Sequence, residues 1–265
     1  RRRKREHEEE GVADLRHDLA PLRHVCVHVD LIPGRPQDVH ALDGVALGQA
    51  VDLRDALDGA LKHHGGVGVQ TEQILNWIGD GVRTLVARGV SQSVEPSTDE
   101  ALCEQVHHTF RVMYLEGCCR KSYLLSGVRE LLDEAQLRGL PMAICTNKDD
   151  IYTMPLLLHL DLLKYFSVVK CPGPKVARKP DADMLHQAMS ELGIERPWML
   201  GDSRADAFAA KNAGVPCILR RGGYDANRNL EDYGAELVVD EVSQITERLR
   251  GSLAISTVRA GRPST

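Results

Sequence analysis

The chain has 265 residues, 43% hydrophobic and 27% charged, a balance that excludes wholesale disorder and leaves room for a core domain with a smaller companion. Aromatic residues are only 4%, so a core has to be built from Leu, Val, Ile and Ala. A formal charge of −5 gives no nucleic-acid footprint, and no run approaches the ~18 apolar residues of a membrane span.

The opening run is basic from Arg1 to Arg5 and mostly acidic over residues 6–10, where a secretory leader would be apolar. Residues 1–23 therefore read as a charged, disordered arm. The stretch His24-Val-Cys-Val-His-Val-Asp-Leu-Ile32 alternates like a strand, and Val39-His-Ala-Leu-Asp43 is a poorer candidate. One of them is expected to be the first strand of a sheet. Residues 52–122 change character. Leu53, Ala56, Leu57, Ala60 and Leu61 recur at helical spacing, as do Ile74, Leu75, Ile78, Val82 and Leu85, and strand signals are scarce. The segment reads as a helical cap inserted into a core formed by residues 24–51 and 123–250.

From Val128 the pattern alternates. Val128, Leu131, Leu132 and Ala135 predict a helix stopped at Gly139, followed by a strand over Pro141–Thr146. A helix over 149–163 leads to a strand over Phe166–Lys170, then a helix over 181–193 and a strand over Trp198–Asp202. A helix over 204–213 closes at Gly214, strands follow at Val215–Leu219 and Leu237–Val239, and the last helix covers 241–249. Residues 251–265 read as a flexible tail. Strands alternating with helices of this length predict an α/β fold, a doubly wound parallel sheet with a helical insertion. The seven cysteines are odd in number and include no CxxC, while Cys145 and Cys217 sit inside apolar runs. Buried, reduced thiols in a cytoplasmic chain are the expectation.

The candidate chemistry lies at strand ends, where an open α/β sheet builds its site. Thr146 and Asn147 end one strand, Lys179 lies in the loop Val176-Ala-Arg-Lys-Pro180, and Asp202 and Asp206 flank the turn after Trp198–Gly201. A hydroxyl, an ammonium and paired carboxylates at one edge suit a phosphate with a hard divalent cation, Mg²⁺ by preference.

On these residues the chain resembles the haloacid dehalogenase superfamily, in its phosphoglycolate phosphatase-like branch. The matching stretches are Ser126–Leu132, Ala143-Ile-Cys-Thr-Asn-Lys148, Arg178-Lys-Pro-Asp181, Leu200-Gly-Asp-Ser-Arg-Ala-Asp206, Ala213–Pro216 and Gly222-Gly-Tyr224. Residues 52–85, with Trp77-Ile-Gly-Asp-Gly81, are similar to the helical cap of that branch. The resemblance implies a phosphatase that hydrolyses small phosphorylated metabolites with Mg²⁺, with neither nucleic acid nor membrane as partner. It implies that Thr146 and Asn147 contact the phosphoryl group or orient its loop, that Lys179 bridges nucleophile and phosphate, that Asp202 binds Mg²⁺, and that Asp206 supports the metal.

The family's first motif, Asp-x-Asp-Gly-Thr, supplies a nucleophile that forms an aspartyl-phosphate and a second Asp that serves as acid and base. Here the chain departs from its family. An ungapped register places Ala41-Leu-Asp-Gly-Val45 on the motif, with Ala41 at the nucleophile position and Asp43 as acid/base. A methyl group cannot attack phosphorus. A competing register uses Asp30 at the end of the better strand, but Ile32 then stands where the second Asp belongs, and an insertion is needed before the cap. The first register is preferred, and neither gives an intact motif. Either the residues before Asp52 carry a frame error, or the chain is a degenerate member that keeps the phosphate and metal pocket as a metabolite-binding protein. A metal-free dehalogenase would need the same missing aspartate. A zinc site is disfavoured, because His24 and His28 would stand roughly 13 Å apart on a strand.

Overall fold

A computed structural model describes residues 25–27, 47–78, 80–117, 119, 122, 124–222 and 229–259. Its centre is a parallel sheet of β1 (Val25–Val27), β2 (Met142–Cys145), β3 (Val168–Lys170), β4 (Trp198–Gly201), β5 (Cys217–Arg220) and β6 (Leu237–Val239). The strand order is β3-β2-β1-β4-β5-β6. The order runs outward in both directions from β1, which pairs with β2 on one side and β4 on the other. That reversal is where a doubly wound sheet opens a crevice at its carboxyl edge. The first strand comes from the 24–32 stretch. Asp30, Ala41, Asp43 and the second strand candidate at 39–43 lie outside the described residues, as does the charged arm of residues 1–23.

Successive side chains of a strand face opposite sides, and here they feed separate cores. Met142, Ile144, Trp198, Leu200 and Ile218 join one core with α5 (Val128–Leu137), α6 (Asp150–His159) and α9 (Ser243–Arg259). Ala143, Cys145, Met199, Cys217 and Leu219 join the other with α7 (Asp183–Leu192) and α8 (Arg204–Ala213). Burial on both faces is why these strands read as unbroken apolar runs. The same burial pushes the Cys217 thiol up, which keeps it protonated and inert.

The helices before residue 118 form a third core. They are α1 (Leu47–His63), α2 (Thr71–Trp77), α3 (Val82–Ser91) and α4 (Glu100–Gly117), with no strand between α1 and α4 among the described residues. Leu57, Ile74, Val86 and Phe110 are fully buried there. Buried Gly89 lets α3 approach α1, for a Cβ at that position would come within 3.0 Å of Leu57. The structure differs from the sequence reading in its boundaries. α1 starts at Leu47, ahead of the boundary at 52. The run Ile74–Leu85 breaks into two helices, since Gly81 takes a φ of 90° and Arg88 holds the gap from both sides, bonding the Trp77 carbonyl and Asp80, each at 2.8 Å. The helix expected to reach 163 ends at His159, and Asp161, at a φ of 52°, turns the chain into a short 3-10 turn. α9 continues through Gly251 to Arg259, so residues 251–259 are helical where a flexible tail was expected. A single glycine costs a helix only about 1 kcal/mol. Among the described residues no helix is long and apolar enough to cross a membrane.

Candidate active site

Thr146 follows β2 directly and is completely buried. Its amide donates to the Lys170 carbonyl at 3.0 Å, and its hydroxyl oxygen accepts from the Lys148 amide at 3.1 Å. Asn147 next to it grips the Lys179 backbone from both sides: its Oδ1 accepts from the Lys179 amide at 2.7 Å and its Nδ2 donates to the Lys179 carbonyl at 2.9 Å. Two loops distant in sequence are thereby fixed as one surface. Asn147 orients the lysine loop through its backbone.

Lys179 is 3% exposed, and its Nζ donates to the Cys145 carbonyl at 2.8 Å and to Asp206 Oδ1 at 2.7 Å. Asp206 is completely buried in the first turn of α8. Its other oxygen, Oδ2, accepts from the amides of Asp202 at 3.2 Å and Ser203 at 3.1 Å and from the Ser203 hydroxyl at 2.6 Å. Ser203 is the N-cap of α8, and with Asp206 three residues on it forms a capping box. Gly201 is required by this packing, because a Cβ there would lie 2.4 Å from the Asp206 Cβ. Asp202, 1% exposed, stands at the end of β4. Its carboxylate is a hard oxygen donor held beside the β1–β4 crevice, which suits Mg²⁺. Asp206 has its oxygens committed to Lys179 and to the 202–203 turn, so its position makes it a scaffold for both. Among the described residues no group of three or more His, Cys, Asp or Glu side chains gathers as a metal site.

The helical unit meets the core at these same loops. Lys148 Nζ donates to the Tyr114 hydroxyl of α4 at 3.0 Å. Arg178 donates to the Asn147 carbonyl and, at 2.6 Å, to Asp149 Oδ1, while its Cζ lies 3.2 Å from where a Cβ of Gly81 would stand. Where the chain crosses between the units, the buried Ser122 hydroxyl donates to Asp52 Oδ2 at 3.2 Å. The structure thus joins Asn147 to Lys179 and Lys179 to Asp206 by hydrogen bonds, with Thr146 and Asp202 at the ends of β2 and β4, on either side of β1. Sequence reasoning missed Ser203, although its spacing from Asp206 is a capping signature. It also gave no role to Arg178 or to Arg220 at the end of β5.

Comparison with known proteins agrees with this geometry. A family model described as haloacid dehalogenase-like hydrolase matches residues 41–219. The match begins at the residue that the ungapped register sets at the nucleophile position, downstream of β1. A phosphoglycolate phosphatase from Photobacterium profundum is 34% identical over 210 residues, covering 78% of this chain and 92% of its own length. One from Agrobacterium fabrum is 30% identical over 219 residues, covering 82% and 93%. Among solved structures, a predicted phosphoglycolate phosphatase from Haemophilus somnus superposes with a TM-score of 0.74 at 22% identity, over 87% of this chain and 99% of that one. CbbY from Rhodobacter sphaeroides, solved with phosphate, gives 0.64 at 19% identity over 84% and 96%. Parallel strands ordered outward from β1, a helical unit ahead of β2 and a lysine–aspartate pair behind the crevice have the same explanation as these matches: the chain belongs to the haloacid dehalogenase-like hydrolase family, in its phosphoglycolate phosphatase-like branch.

Proposed function

We propose that this phosphatase acts on small phosphate monoesters of the phosphoglycolate type, at the carboxyl edge between β2, β1 and β4. The observation that carries the reading is the Lys179–Asp206 pair, buried at 2.7 Å and locked to Thr146 through Asn147. An ammonium fixed at that point neutralises phosphate charge without having to be ordered when substrate arrives. The Thr146 hydroxyl accepts from an amide and keeps its own proton to donate to a phosphoryl oxygen. Asp202 would hold Mg²⁺, which supplies charge stabilisation at the phosphoryl group when bound. The sequence between β1 and α1 holds Asp30 and Asp43, the nucleophile candidate of one register and the acid/base candidate of the other. The helical unit would act as a cap that excludes water, a role supported by Gly81 lying against Arg178, the neighbour of Lys179.

The chemistry is an aspartyl-phosphate displacement, and Ala41 cannot perform it. As it stands, the chain should turn over phosphoglycolate and p-nitrophenyl phosphate very poorly. Replacing Ala41 with Asp should raise kcat by orders of magnitude and move KM much less, because the new interaction is made mainly in the transition state. A carboxylate misplaced by ~1 Å would cost about 10²-fold, so a partial rescue fits as well. Robust activity in the unmodified chain, lost on Asp30→Asn, would move the nucleophile to Asp30. No gain from Ala41→Asp in a folded protein that binds Mg²⁺ would leave a phosphate-binding protein on the same scaffold.

A further inference from the structure

Asp202 faces a positive charge that the proposed chemistry does not use. Along β5, Ile218 packs into the core of α5 and α9 and Leu219 into the opposite one. Arg220, two residues beyond Ile218, shares its face. Asp202, two residues beyond Leu200, shares that face too, since Leu200 belongs to the same core. The register pairs Gly201 with Leu219, which brings positions 202 and 220 level on adjacent strands, about 4.8 Å apart at the backbone.

Arg220 is 6% exposed, and its Nε and Nη2 are buried with no hydrogen-bond partner among the described residues. Burial pulls its pKa down, and Asp202, then Glu241, are the charges that push it back up. Arg221 next to it behaves as a surface arginine, paired with Glu231 and with Asp240 at 3.2 Å. A guanidinium buried without a hydrogen-bonded carboxylate is costly to keep, and an apolar side chain of similar size would satisfy the core better.

We propose that Arg220 is a built-in counter-cation for Asp202, which holds down the affinity of this sheet edge for divalent cations. A metal ion approaching Asp202 meets a carboxylate already set against a fixed positive charge, and the repulsion between that charge and a doubly charged ion is only weakly screened at this depth. Among the described residues, Lys179 is paired with Asp206 and Arg220 stands level with Asp202, so each of these two carboxylates has a cation beside it before a metal arrives. The inference rests on the reading of Asp202 as the cation ligand.

Titration calorimetry with MgCl₂ on the full chain tests it. Arg220→Met should bind Mg²⁺ about tenfold more tightly or better, judged from the Coulomb interaction of a unit charge with a divalent ion in a partly screened site. Arg220→Lys, which keeps the charge, should stay within about twofold of the parent on the same grounds. Arg220→Gln serves as a second neutral variant if Met disturbs the core, with circular dichroism confirming the fold, and the Mg²⁺-dependent rise in melting temperature should follow the same order. Equal or weaker binding in the neutral variants, or no Mg²⁺ binding by any of them, would overturn the proposal. Asp202→Asn separates the two ideas. If it leaves the parent's Mg²⁺ binding intact, the site reading fails. If it abolishes binding while Arg220→Met changes nothing, only the counter-cation role fails.

Discussion

Lys179 and Asp206 have side chains 1% and 0% exposed, and an ion pair at that depth matters most when it is broken. Lys179→Met should leave the Asp206 carboxylate buried without its counter-charge and lower unfolding stability by about 3–5 kcal/mol. Urea denaturation should register that loss, and the double variant Lys179→Met/Asp206→Leu should recover a large part of it. Tyr152 is a second buried polar group, 2% exposed, set edge-on to Tyr114, with a hydroxyl that has no hydrogen-bond partner among the described residues. Burial is the main reason its pKa is pushed up from 10.0 to about 12. Below the ordinary value both folded and unfolded chains keep the proton, so the preference for the neutral phenol is fully present. As pH rises from 10.0 toward about 12 the unfolded chain releases its proton first, and stability falls. Tyr152→Phe should be neutral or slightly stabilising at pH 7, and thermal melts across that alkaline window should show a shallower loss than in the parent. At this scale the sequence was informative where a side chain's role follows from its place on the chain. Thr146 and Asn147 follow β2 and Asp202 follows β4, Asp206 falls in the first turn of the next helix, and Lys179 lies in the loop between β3 and α7. Arg220 and Tyr152 were not legible, because what makes them unusual is the partner each lacks, and that depends on tertiary packing.

The turn from β4 into α8 joins a strand end, a helix cap and the buried lysine in six residues. Ser203 caps the helix, Asp206 closes the box, and Gly201 leaves the space that Asp206 fills. Gly201→Ala would push a methyl group into the Asp206 side chain, and that carboxylate cannot retreat while it holds Lys179 and the 202–203 amides. The expected cost is about 1–3 kcal/mol, the range for overpacking a filled site, with Mg²⁺ binding weakened in the same variant. Calorimetry and chemical denaturation would check both, and a fully stable Gly201→Ala protein would show that the turn can open. Elements bounded by strong local signals were readable in advance. α8 runs over 204–213 and β6 over 237–239 as expected, the helix framed by Ser203 and Gly214. The break between α2 and α3 was hidden because apolar residues keep helical spacing across it. Only the positive φ of Gly81 and the long reach of Arg88 reveal the gap. The first strand was ambiguous for a different reason: two alternating stretches precede the helices, and a central strand of three residues carries little sequence signal.

Across the whole molecule, Arg178 is where the helical unit and the core share a residue. Its guanidinium bonds the Asn147 carbonyl and Asp149 on the core side and lies against the Gly81 backbone on the other. The next residue in the chain is Lys179, so the seat of Gly81 and the position of the buried ammonium share one short loop. Sequence patterning separated a helical segment from an α/β one, yet it could not show where they touch. A loop arginine beside Lys-Pro looks like any solvated charge until Gly81 is folded onto it. Arg178→Ala should remove that seat without unfolding either unit, because each keeps its own buried core. Hydrogen exchange should therefore accelerate at residues 80–85, where α3 begins, while β2 and β4 keep the protection of the parent. Arg178→Lys should restore the effect only in part, since one ammonium cannot reproduce a fork that reaches Asn147 and Asp149 while resting flat against a glycine. Faster exchange spread equally through β2, β4 and α3 would point to global destabilisation. Unchanged exchange at 80–85 would show that the cap is seated by the Lys148–Tyr114 contact instead.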